Sequence, residues 1–106
     1  MREIFINAIH ELLKVQVTFF SIEDNQLLVR TCAPMDFGPS RRAKEKNDRY
    51  HFWDYDSDKL RHTLSINPEQ VRKIVILEEN FDPSEFVTWD TIKSPWFIKR
   101  DWGKYS

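Results

Sequence analysis

Apolar and polar positions change period early in this chain. From Ile4 to Leu13 the apolar residues Ile4, Phe5, Ala8, Ile9, Leu12 and Leu13 recur at helical spacing, and Asn7, His10, Glu11 and Lys14 fall on the opposite face. That spacing predicts one amphipathic helix. At Val15 the period drops to two, with Val15, Val17 and Phe19 alternating against Gln16, Thr18 and Phe20, which predicts a strand. Glu23 to Gln26 is a polar turn, and Leu27 to Ala33 returns as a second strand to complete a hairpin. Pro34 is expected to end that strand, and Met35 to Ser40, containing Gly38-Pro39, to form a bend.

Ser40 to Arg49 is polar and reads as an exposed loop or a short helix. Tyr50 to Tyr55 reads as an aromatic strand, and Asp56 to Lys59 as a second hairpin turn leading back through Arg61 to Ile66. Asn67-Pro68-Glu69 starts a short helical step, and the β-branched run Val71 to Leu77 closes the sheet. The expected fold is therefore mostly β with one N-terminal helix. Its five short strands form a small SH3/Sm-like barrel, since closure removes exposed edges. Residues 1–83 hold this domain. Residues 84–106 form an aromatic C-terminal extension, expected to pack on or beside the barrel, and carry three of the four tryptophans.

Composition narrows the function classes. A chain of 106 residues, 41% hydrophobic and 14% aromatic, supports one packed core. Sixteen basic against 17 acidic residues leave a net charge of −1, so any nucleic-acid role rests on local clustering rather than a global field. Two glycines limit phosphate-cradling loops, and the single cysteine, Cys32, excludes an intrachain disulfide and a multi-cysteine zinc site. Cys32 reads as a small buried side chain. With no apolar run of membrane-spanning length and no signal-peptide pattern, the expectation is a cytoplasmic chain without a membrane partner.

Four constellations bear on chemistry. His51 and His62 lie on adjacent predicted strands and could face each other across the sheet, with Asp54 or Asp56 as a third metal donor; ordinary sheet-surface histidines are the favoured reading. Asp54, Asp56 and Asp58 have the spacing that opens a calcium loop, but the glycine and the later glutamate are missing, so no metal is expected. Nucleophile and phosphate-loop motifs are absent, which argues against an enzyme; neither catalytic residues nor a cofactor are assigned. The basic run Arg41, Arg42, Lys44, Lys46 and Arg49 is the strongest electrostatic feature, read either as a solvated loop or as a phosphate-holding segment beside Tyr50 or Phe52. The aromatic tail reads as extra core or as a surface for a partner.

The order of several segments resembles the WYL domain, an Sm/SH3-like barrel of bacterial transcriptional regulators. Ala8 to Phe20 is similar to that family's helix running directly into a Val-x-Phe strand. Thr31-Cys32-Ala33-Pro34-Met35-Asp36-Phe37 is similar to its second strand and proline bend, and Tyr50 to Asp56 falls where its Trp-Tyr-Leu strand lies. Thr63 to Val71 resembles its stretch ending in Asp-Arg-Ile, and Leu77 to Pro83 its Phe-Asp-Pro ending. Tyr50-His51-Phe52 replaces the name-giving triplet, and Gln70 stands where the family commonly has an arginine of its basic binding surface. No helix-turn-helix precedes the barrel in this sequence.

The resemblance implies a ligand-sensing or regulatory module. Arg41, Arg42, Arg49, Tyr50, His51 and Arg61 are the expected ligand-binding residues, with arginines capturing phosphate and an aromatic platform meeting a base. The expected ligand is a nucleotide or single-stranded nucleic acid. The alternative is a protein-interaction or assembly module that presents Trp96 and Trp102 to a protein partner or a second copy of the chain.

Overall fold

The computed structural model describes residues 1–40, 44–56 and 62–106. Helix α1 spans Arg2–Glu11 and buries Phe5, Ala8 and Ile9, which repeat at three- and four-residue spacing on one face. The helix stops two residues before the apolar pattern does. Leu12 takes a left-handed conformation, φ 56°, and its N–H reaches back to Ala8 O and Ile9 O. A leucine in that region costs roughly 1–3 kcal/mol. The cost is offset where the Leu12 carbonyl accepts from Phe81 N–H and from Asn80 Nδ2, both at 3.0 Å, tying the helix end to the far end of the sheet.

Five antiparallel strands follow: β1 Leu13–Ser21, β2 Gln26–Pro39, β3 Asp48–Asp54, β4 His62–Ile66 and β5 Val71–Asn80. They pair in the order β4-β3-β2-β1-β5, and a 3-10 turn at Pro68–Gln70 carries the chain from one end of that ladder to the other. Gln70 anchors this turn through its side chain, which donates to Phe20 O at 3.0 Å and accepts from Asn67 N–H. The fold is thus mostly β with one N-terminal helix and a barrel-like five-stranded sheet. Val15, Val17, Phe19, Tyr50, Phe52 and Ile66 point inward, and the Phe5 ring of α1 meets Tyr50 and Phe52 edge-on at 5.0 and 5.2 Å.

Pro34 does not end β2. The strand runs on to Pro39, and its ladder with β3 shifts register between Pro34, opposite Phe52, and Asp36, opposite His51. Met35 is the extra residue of this bulge, and a bulge tolerates a proline because the ladder is already broken there. Cys32 pairs with Val15 of β1 and with Asp54 of β3, so one long strand serves both halves of the sheet. Among the described residues no helix is long and apolar enough to cross a membrane.

Residues 81–106 are mostly irregular, with 3-10 turns at Pro83–Glu85 and Gly103–Tyr105. Phe81, Phe86, Val87 and Trp102 nevertheless belong to the same buried cluster as α1 and the strands. The Trp102 indole N–H donates to Ile9 O at 2.8 Å, and its ring stands edge-on to Phe81, Phe86 and Trp96.

Candidate functional site: a cleft between the sheet and the C-terminal segment

Alternation along β3 sends Tyr50, Phe52 and Asp54 inward and Arg49, His51 and Trp53 toward the opposite face. The C-terminal segment crosses that outer face. Between them lies a cleft of 390 Å³ whose sheet side includes His51, Thr63 and Ser65, and whose tail side includes Trp89, Trp96 and Phe97. Pro39 and Ser40 also line it, immediately before the basic run in sequence.

The tail is held in place by Asp36, at the bulge of β2. Its Oδ2 accepts from Phe97 N–H at 2.9 Å, and its Oδ1 accepts from Ile98 N–H at 3.0 Å. Arg100 Nη2 reaches the same Oδ1 at 3.3 Å, Arg100 Nη1 donates to Met35 O, and Arg100 Nε donates to Ile98 O. The guanidinium carbon also sits 4.0 Å from the Trp96 ring centre and 4.4 Å from that of Trp102. Burial pushes the Arg100 guanidinium down to about 10, against the opposing pull of Asp36. Arginine's intrinsic basicity keeps it charged at neutral pH.

Gly38 makes room for the roof. A Cβ there would stand 2.5 Å from Phe97 Cδ2 and 2.7 Å from Cγ, closer than carbon atoms approach. The aromatic wall is closed by a tight turn in which Lys93 and Ser94 donate to Asp90 O and Trp89 Nε1 donates to Ser94 O at 3.1 Å. Trp89 and Trp96 meet edge-on at 5.2 Å.

On the cleft floor, His51 Nε2 lies 2.8 Å from Gly38 O, and Nδ1 lies 2.7 Å from Ser65 Oγ. A carbonyl only accepts, so Nε2 carries the proton; in the neutral ring Nδ1 is then the acceptor of the Ser65 hydroxyl. The cleft thus offers stacking surface on one side and a hydroxyl–imidazole pair on the other.

No family model, curated protein or solved structure matches the chain.

Among the described members of the expected binding set, Arg49 and His51 share one face of β3 and Tyr50 points to the other. His51 lies in the cleft. Tyr50 is 4% exposed and packs against Phe5 and Phe37, so it is a core ring and offers no platform. Burial raises its phenol above the ordinary value, with Arg2 pulling the other way. Arg49 is half-buried on the same strand face as His51, and its Nε is buried without a partner among the described residues. Arg41, Arg42 and Arg61 lie outside the described residues.

Of the two tryptophans expected to meet a partner, Trp102 is a core residue, held by Ile9 and the aromatic cluster. Trp96 is half-buried and lines the cleft. The two histidines do not face each other: His51 stands opposite Ser65, and His62 opposite Asp54. Asp54 and Asp56 accept backbone N–H groups, from Asp56 and Thr31 respectively. No group of three metal-ligating side chains occurs among the described residues.

Sequence reading missed Asp36, Gly38, Ser65, Trp89 and Arg100 as site residues. A charged Asp36 inside the apolar run from Cys32 to Phe37, followed by one of only two glycines, was the available signal.

Proposed function

We propose that this chain is a ligand-binding module that takes the planar base of a nucleotide, or of a single-stranded nucleic-acid end, into the cleft beneath residues 89–97. The observation that carries this reading is the pairing of Trp89, Trp96 and Phe97 with the polar His51, Ser65 and Thr63 across one cavity. Aromatic walls bind any base by its π-face at about 1–3 kcal/mol per ring, and a few fixed polar groups orient its edge. The basic run from Arg41 to Arg49 begins directly after cleft-lining Ser40, which favours a phosphate-bearing ligand over an uncharged ring. The ordered likeness to the WYL domain supports a sensing role for such a barrel.

Tryptophan fluorescence titrated with adenosine monophosphate and with a short oligodeoxythymidine, each at two salt concentrations, tests this. Saturable quenching that weakens as salt rises is expected, with Trp89→Ala reducing affinity roughly tenfold. Absence of quenching by either probe removes the reading.

A second reading rests on a different observation. Ile92 is 90% exposed and Phe97 51% exposed on the same tail segment as the exposed Trp89. These apolar groups support a protein-interaction module, and a change of sedimentation behaviour with concentration that Ile92→Asp abolishes would favour it.

A further inference from the structure

His51 and Ser65 are paired on the cleft floor. Three features come together there. The carbonyl of Gly38 fixes the imidazole with its proton on Nε2, so Nδ1 is a free base aimed at Ser65 Oγ, 2.7 Å away. Ser65 is solvent-exposed, so an incoming group can reach its hydroxyl. Both residues line the same cavity as Trp89, Trp96 and Phe97. A nucleophile within hydrogen-bond reach of a base, which is in turn oriented by a third group, is the recurring arrangement of activated hydroxyls.

We infer that Ser65 is an acyl-accepting hydroxyl, activated by His51 and selective for esters whose leaving group is an aromatic alcohol held against Trp89 and Phe97. In the transfer, Ser65 Oγ attacks the ester carbonyl carbon while its proton passes to His51 Nδ1. The bond from that carbon to the aryl oxygen then breaks, and the departing oxygen takes the proton back from His51. The products are an O-acyl Ser65 and a free phenol. The Nε2–H bond to Gly38 O holds the ring in place throughout and steadies the transient imidazolium. This inference rests on the cleft's ability to seat a planar ring, as proposed above.

The full chain incubated with p-nitrophenyl acetate tests it. Stoichiometric release of p-nitrophenol is expected, with one acetyl group found on Ser65 by peptide mass mapping. Ser65→Ala should abolish that label, and His51→Gln should slow it by about 100-fold. Acetylation confined to lysines or the N-terminal amine, at equal level in Ser65→Ala, overturns the inference. So does an unmodified Ser65 in a chain whose tryptophan fluorescence is quenched by adenosine monophosphate, an outcome that leaves the ring-binding reading intact. If Ser65 stays unmodified and neither adenosine monophosphate nor the oligodeoxythymidine quenches, both fall together. Ser65 is an exposed residue at the sheet's edge, so Ser65→Ala keeps the test decisive even if His51→Gln does not fold.

Discussion

Arg100 reaches back to Asp36 across 64 residues of sequence, with its guanidinium 3.3 Å from the carboxylate and its side chain fully buried. The carboxylate is shared between this cation and the backbone N–H groups of Phe97 and Ile98, so one side chain orders three residues of the tail. Breaking such a pair on one side leaves the other charge buried without its counter-charge, at about 3–5 kcal/mol. Asp36→Ala and Arg100→Met should each lower the unfolding free energy by about that much in urea titrations. The double variant should lose clearly less than the sum, because the two share one network; additivity within about 0.5 kcal/mol contradicts the coupling.

Gly38 and Phe97 set the height of the roof above the sheet. Gly38→Ala should cost about 1–3 kcal/mol, since the new methyl overlaps the ring near its attachment and the Phe97 backbone is held by Asp36. Removing the ring with Phe97→Ala in the same chain should return most of that loss. Thermal melts of the two single variants and the double variant decide the matter, and an unchanged melt for Gly38→Ala rules out the close approach.

Cys32 is buried at the point where β2 changes partners. Burial drives its thiol far above the ordinary value, and the charges of Asp54 and Asp56 push the same way. The folded protein should therefore react with a thiol-specific chromogenic reagent only as fast as it opens. The rate should rise with denaturant in step with unfolding; prompt reaction in native buffer speaks against the burial.

Asp82 accepts from Ser84 N–H at 2.9 Å at the start of the Pro83–Glu85 turn, and this bond lowers its carboxyl below the usual 3.8. The folded value lies below the unfolded one, so the stabilisation is present above the unfolded value and is lost as pH falls through the folded value. A carbon-detected NMR titration should place the Asp82 midpoint below 3.8, and in Ser84→Pro, which removes that N–H, the midpoint should move up toward it.

The elements were legible where local pattern and local structure obey the same rule. Helical spacing from Ile4 to Leu13 announced α1, and alternation at Val15, Val17 and Phe19 announced β1, because each pattern reflects a face turned to one core. Pro34 misled because proline's effect on a strand depends on whether its missing N–H is needed, and the shift in pairing at the bulge decides that. Tyr50 and Trp102 looked like binding rings in a sequence rich in aromatics. Which rings become core depends on which face meets α1, and that is settled only when Phe5 and Ile9 arrive from the helix.

The sequence by itself determined the order of elements, the mostly β class and the aromatic character of the tail, since these follow from periodicity and composition. The tertiary structure alone decided that Asp36 clasps Arg100, that Gly38 admits Phe97, and that His51 meets Ser65. Asp36 with Arg100 and Gly38 with Phe97 are about 60 residues apart, and His51 meets Ser65 only in the register that β3 and β4 adopt, so local spacing encodes none of these contacts.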